Sequence, residues 1–298
     1  MSVDTIPMRP SPFPFAYYAD LMKNLISRGD VEFLTYADLE WVSGDDGLKR
    51  YPLELRRWRE SLANGTRNPD KIYLILQHDC DSAPRHIIEM ANFERRLGIR
   101  SNLMVFDRWF PWYMKKASDK QKVPSHYPID WEALRSLAED GFMVGYHCNA
   151  WQNVRFNENL IFNQFRKEVA SLEKKLGRSI RFYSAHGGAR SPDGRVNASF
   201  DYFAIPKLKA IWVHNRINPR YSSAYSDGAI NARLRGDDAE KTNFEKFLTL
   251  MQPGNRYLAL IHPEYYLDTS YMPHDDVTVQ YYLEMRKKYS KYEAKNKL

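Results

Sequence analysis

The stretch KIYLILQHDCDSAPRHIIEMANFERRLG, residues 71–98, decides the fold class. Its apolar run, Ile72 to Leu76, stops abruptly at Gln77, His78, Asp79 and Asp81. A short continuous apolar segment of this kind reads as a strand buried on both faces, as parallel strands are. The second half places Pro84 near a first turn and Gly98 just past a last one, the usual boundaries of a helix.

The same alternation continues downstream. SNLMVF (101–106), FMVGYH (142–147), RFYSAHGG (181–188), AIWVHN (210–215) and RYLALIHPEYY (256–266) read as strands. IDWEALRSLAEDG (129–141), NENLIFNQFRKEVASLEKKLG (157–177), TNFEKFLTLM (242–251) and the start of the tail from Val277 read as helices. Strands alternating with helices predict parallel βαβ units, in a barrel or an open doubly wound sheet. Upstream, YADLMKNLISRG (18–29) and YADLEWVSG (36–44) carry helical spacing, the Pro-rich first twenty residues read as an extended arm, and residues 64–70 read as a loop. No Pro/Gly/Ser linker interrupts the chain after residue 70, so one domain (71–298) with an N-terminal extension (1–70) packed on it is expected.

Composition narrows the function. With 298 residues and 43% hydrophobic content, the chain can bury a sizeable core, which argues against overall disorder. The net charge of +7 comes from scattered clusters such as RRWR (56–59) rather than one tract, so a nucleic-acid partner is not expected, and an anionic small substrate suits the balance. Two cysteines, Cys80 and Cys148, exclude a disulfide scaffold and read as small apolar fillers. The N-terminus lacks the pattern of a secretory signal, and no apolar run is long enough to span a membrane, so a cytoplasmic location is expected.

Parallel α/β folds collect their chemistry at the carboxyl ends of the strands. Four predicted strands end on ionisable residues: His78, Asp79 and Asp81; His147; His186; and His262. Asp79 and Asp81 stand two apart in extended chain, hence on one face, and two carboxylates that close need a cation or a proton between them. Asp81 can also cap the next helix; Asp79 has no such explanation. Imidazole with carboxylate is the usual hydrolytic metal set, suited to zinc or another divalent cation such as Co, Mn, Ni or Fe.

These residues resemble the polysaccharide deacetylase family (carbohydrate esterase family 4, or NodB-homology proteins), in its divergent H-D-x-D branch. QHDCD (77–81) matches the first motif and VGYHCNAW (144–151) the second. AHGGARSP (185–192) resembles the third, with Arg190 and Pro192 in its R-x-P core, and LALIHPEYY (258–266) the last. The resemblance implies a distorted (β/α)7 barrel and metal-dependent removal of acetyl groups from sugars. Carried over by position, it makes Asp79 the general base, Asp81 and His147 metal ligands, Arg190 the group orienting the base, His262 the general acid, and Leu260 part of the acetyl pocket. YSDG (225–228), with Asp227, is a weak match to the fourth motif. Trp151 and Asp227 are expected beside the substrate.

One departure bears on the metal. The family's second motif carries two histidines four apart, and here Trp151 stands four after His147. Indole nitrogen only donates hydrogen bonds, so it cannot coordinate. His186, at another strand end, is the expected third ligand, with His78, His126 and Asp227 as alternatives. A lipid- or nucleotide-linked acetamido sugar of surface polysaccharide assembly is the expected substrate. A different metallohydrolase on the same barrel, acting on cyclic amides or phosphoesters, and a catalytically silent glycan or partner binder are the competing expectations.

Overall fold

A computed structural model describes residues 15–39, 51–81, 84–108, 129–154, 156–187, 191, 193–200, 211–212, 221–227 and 244–266. Eight strands fall in these residues: β1 (Val31–Leu34), β2 (Ile72–Asp79), β3 (Asn102–Val105), β4 (Met143–Cys148), β5 (Phe182–Ala185), β6 (Ile211–Trp212), β7 (Ser223–Ser226) and β8 (Arg256–Ile261). The helices are α1 (Phe15–Ser27), α2 (Tyr51–Ala63), α3 (Pro84–Arg96), α4 (Trp131–Glu139), α5 (Ala150–Asn153), α6 (Glu158–Leu176) and α7 (Phe244–Thr249).

Every strand pair is parallel. The spatial order is β6-β5-β4-β3-β2-β8-β7. Followed around, β2 to β8 keep chain order, with one seam, between β6 and β7, among the described residues. This is a distorted (β/α)7 barrel. The eighth strand, β1, lies off that path and pairs Val31–Leu34 with Ile72–Ile75 of β2. On β2, the pairing with β3 covers only Gln77–Asp79, which leaves β1 the lower part of that edge.

The two faces of the sheet are separated by strand alternation. Tyr73 and Ile75 of β2, Met104, Met143, Phe182 and Leu258 pack together inside, closed by Leu34, Tyr36 and Trp58 from upstream of the barrel. Leu74, Leu76, Ala259 and Ile261 pack outward on α1, α3 and α7. Leu103, Val105, Tyr146, Cys148 and Tyr183 pack outward with residues of α3, α4 and α6. Both cysteines are free thiols buried in that last cluster. Asp130 caps α4 by accepting from the amides of Glu132 and Ala133, each at 3.0 Å, and Gly177 ends α6 at φ 68°, a left-handed conformation that favours glycine.

The amino-terminal end of the barrel is filled by α2. Glu54 forms a bidentate pair with Arg256, the first residue of β8, at 2.6 and 3.0 Å, and both are fully buried. The Arg256 guanidinium lies 4.6 Å from the Trp58 ring centre, and Trp58 meets Tyr73 edge-on at 4.8 Å.

Three local expectations are corrected. The arm expected over residues 1–20 is already helical from Phe15, because Tyr18, Met22 and Leu25 bury against β2 and β8; residues 1–14 lie outside the described region. The helix expected over 36–44 is one 3-10 turn, Tyr36–Asp38, with residues 40–44 outside the described region. β1 and β7 were not expected, since neither VEFL nor SAYS carries an apolar run; each is a strand because a neighbouring edge accepts its backbone. The predicted tail helix lies outside the described residues.

Candidate metal centre

The inward face of β2 carries Gln77 and Asp79, and Asp81 follows at the strand's exit. β4 brings His147, and the end of β5 brings Ser184 and His186. β8 brings Leu260, and His262 follows it. Each set is spaced by two, so alternation alone delivers these side chains to one end of the barrel.

Asp81, His147 and His186 offer donor atoms that all lie within 4.8 Å of one another. His147 Nε2 stands 2.9 Å from Asp81 Oδ1, and His186 Nε2 stands 3.6 Å from Asp81 Oδ2. Asp79 lies next to this set, its Oδ2 3.8 Å from His147 Nε2. His262 Nε2 is 3.8 Å from Asp81 Oδ2.

The far side of each imidazole is held by a hydrogen-bond partner. His186 Nδ1 meets the Asn149 Oδ1 acceptor at 3.2 Å, so Nδ1 carries a proton and Nε2 is the nitrogen that faces Asp81. Asn197 donates to that same Asn149 oxygen at 3.4 Å and to the His186 carbonyl at 3.2 Å. His147 Nδ1 meets Ser184 Oγ at 2.8 Å, and Ser184 Oγ donates to Asp79 Oδ1 at 3.4 Å. Partners of this kind fix the tautomer of metal-binding histidines.

Opposite charges dominate the electrostatics of the group. Burial pushes the Asp81 carboxyl up, but His186 and His147 outweigh it and hold the group well below the usual carboxylate range. Burial pushes His147 down, and the Asp79 and Asp81 charges override it and raise its pKa. His147 Nε2 is buried and makes no aligned hydrogen bond, although a carboxylate oxygen lies beside it. A buried ring nitrogen left in that state, with its other ring nitrogen engaged, fits a divalent cation bound by two imidazoles and one carboxylate.

Asp227, at the end of β7, is fully buried and belongs to His262. The His262 Nδ1–H donates to Asp227 Oδ1 at 2.5 Å, and the His262 backbone amide donates to Asp227 Oδ2 at 2.6 Å. Burial raises the Asp227 pKa, and the His262 contacts offset only part of that rise.

Other expected residues lie elsewhere. His78 points to the opposite face of β2 and pairs with the buried Glu94 of α3 at 2.7 Å, so it is not among the grouped donors. Trp151 is buried among Phe156 and Phe200, at centroid distances of 5.4 and 4.4 Å, with the Arg195 guanidinium 5.3 Å from its ring. Leu260, by contrast, is buried on the site's own face of β8, two residues before His262. Arg190 and His126 lie outside the described residues. Sequence inspection missed Gln77, Asn149 and Ser184. Gln77 and Ser184 each stand two residues before a site residue on the same strand face, and that spacing was the available signal.

No family model matches the sequence, and no curated protein matches it. Among solved structures, the chain is similar to IcaB from Ammonifex degensii, with 16% identity over 69% of this chain and 77% of that one, at a TM-score of 0.39. It is similar to the deacetylase PplD of Streptococcus pyogenes, with 11% identity over 74% of this chain and 89% of the other, at a TM-score of 0.41. It is also similar to a mutant of BA3943, described as a CE4 family pseudoenzyme, with 13% identity over 73% and 64% and a TM-score of 0.40.

Proposed function

We propose that this protein is a metal-dependent deacetylase that hydrolyses the N-acetyl group of an acetamido sugar. One observation carries the proposal: Asp81, His147 and His186 form a compact donor set, and two further ionisable groups with different environments, Asp79 and the His262–Asp227 pair, stand beside it.

Asp81, His147 and His186 hold a divalent cation, with zinc the best match to two imidazoles and a carboxylate and Co, Mn, Ni or Fe as alternatives. When bound, such an ion supplies Lewis acidity toward an amide carbonyl and acidifies water. Asp79 accepts the proton of the attacking water on Oδ2, since its Oδ1 is already engaged by Gln77 and Ser184. His262 delivers a proton to the departing amine from Nε2, because Nδ1 is committed to Asp227. Asp227 thus orients the acid rather than lining the sugar. His186 supplies the imidazole that Trp151 cannot, which supports an active enzyme over a silent binder. Leu260, on the same inward face, borders the acetyl group, and Arg190 is assigned to Asp79 by the motif resemblance alone. A lipid- or nucleotide-linked amino sugar is the proposed substrate class, and its anionic carrier suits the net charge of +7.

The test is acetate release from acetamido sugars by protein reconstituted with zinc, with metal content measured on the same sample. Stoichiometric metal with acetate release is expected. Phosphate release or a ring-opened acid in place of acetate would assign a different hydrolase, and absence of bound metal would remove the proposal.

A further inference from the structure

The base of this site is tied to a residue from outside the barrel. Asp79 Oδ1 accepts from Gln77 Nε2 at 2.6 Å. The other end of the same amide, Gln77 Oε1, accepts from the hydroxyl of Tyr36. All three side chains are buried, with Gln77 and Tyr36 at 0% exposure and Asp79 at 5%.

The chemistry of the three groups fixes the direction of this chain. An ionised carboxylate only accepts, so the amide must turn its NH2 toward Asp79. That turns the carbonyl toward Tyr36, whose hydroxyl can donate. A donor at Tyr36 and an acceptor at Asp79 therefore select one of the two orientations of the Gln77 amide. Without the hydroxyl, the carbonyl would be buried with one partner fewer, and the amide would lose its bias.

Tyr36 is itself held in place. Its backbone amide donates to Asn102 Oδ1 at 2.7 Å. The Asn102 amide nitrogen donates to the Leu76 carbonyl at 2.8 Å and lies 3.5 Å from the Leu34 carbonyl. Asn102 thereby fastens the end of β1 to the strand that carries Gln77 and Asp79. Thr35 and Asp38 close the turn around Tyr36 through bonds of 2.7 Å from the Thr35 amide and hydroxyl to Asp38 Oδ2.

We infer that Tyr36 is a positioning residue for the proposed base: through Gln77 it sets the orientation of the Asp79 carboxylate, so the segment upstream of the barrel is part of the working site. This rests on the deacetylase proposal for the role of Asp79, but the link itself does not.

Two measurements test it. The first needs no turnover. In a proton–nitrogen correlation spectrum, the Gln77 side-chain amide is identified by its disappearance in Gln77→Glu. Tyr36→Phe should shift that amide pair and speed its exchange with solvent; an unmoved pair overturns the inference, whatever the enzyme's reaction. The second uses zinc-loaded protein and acetate release. Tyr36→Phe should lower kcat by roughly tenfold to a hundredfold with KM and zinc content unchanged, as expected for a displaced reacting group. In a Gln77→Met background the same substitution should add almost nothing, since both changes break one chain. Equal losses in the two backgrounds would overturn it. Asp130→Ala, which removes the cap of α4 and touches none of these residues, should lower Tm and leave kcat near wild type; a loss equal to that of Tyr36→Phe would make the effect one of general destabilisation and overturn the inference. Wild-type protein that binds zinc and releases no acetate would sink the deacetylase proposal instead, and the spectrum would still decide the link.

Discussion

His262 and Asp227 share two hydrogen bonds, one from the imidazole Nδ1–H at 2.5 Å and one from the backbone amide at 2.6 Å. The carboxylate therefore fixes both the ring and the chain at the exit of β8. An imidazole held this way keeps its Nε2 aimed at the donor set, from which it stands 3.8 Å at Asp81 Oδ2. Asp227→Asn preserves shape but removes the charge that favours imidazolium. Turnover should fall by about 10²-fold or more, in the range of a lost general acid, while zinc content stays at the wild-type level. Loss of zinc in this variant would show that the pair supports the ligands rather than the proton transfer.

The ligand assignment makes a sharper demand. His147→Ala and His186→Ala should weaken zinc binding to a similar degree, and His262→Ala should leave it intact. Catalytic zinc generally has three protein ligands, so removing either imidazole leaves two. Zinc titration of the three variants is the measurement. Full metal occupancy in His186→Ala would exclude His186 and leave the third ligand to be found elsewhere.

Gly145 lies on β4, two residues before His147, and faces the Phe182 carbonyl of β5, the strand that leads to His186. A Cβ there would sit 2.6 Å from Met104 Sδ and 2.9 Å from the Phe182 carbonyl oxygen. Methionine can move, but the carbonyl belongs to β5, which also carries Ser184 and leads into His186. Gly145→Ala should cost about 1–3 kcal/mol, typical of an overpacked interior, and should also weaken zinc binding by pushing β5 away from β4. Thermal unfolding and zinc titration check the two halves. Wild-type behaviour in both would mean that the sheet adjusts at no cost.

The strand-end chemistry was legible because it follows from alternation. Once Ile72–Asp79 is a strand, Gln77, Asp79 and Asp81 must share a face, and His78 must take the other. Treating His78 with the other strand-end residues overlooked that consequence; the structure pairs it with Glu94. β1 and β7 were illegible for a different reason. VEFL and SAYS have no pattern of their own, and they become strands because β2 and β8 present open edges. The partnership of Asp227 with His262 spans 35 residues, so it is a property of neighbouring strands and not of any local motif. Tyr36 was read as part of a helix, and its hydroxyl's role depends on β1 reaching β2.

The buried Glu54–Arg256 pair lies at the opposite end of the barrel, and its role is tested by stability alone. The two side chains are 0% and 1% exposed and bond at 2.6 and 3.0 Å, with Trp58 against the guanidinium. Removing one partner leaves the other charge buried without compensation, at a cost of about 3–5 kcal/mol. Arg256→Ala and Glu54→Ala should each lower the unfolding free energy by that amount, measured by chemical unfolding. Replacing both together, with Glu54→Leu and Arg256→Met, should cost less than the sum, because no orphaned charge remains. The exposed Arg56–Glu60 pair of the same helix, at 3.5 Å, supplies the contrast, and Arg56→Ala should cost no more than about 0.5 kcal/mol. Zinc affinity should be unchanged in the double variant, since the pair is at the amino-terminal end and the ligands are at the carboxyl end. A double variant as damaged as the sum of its parts would show that the contacts of Arg256 with Trp58, rather than the ion pair, hold α2 in the barrel.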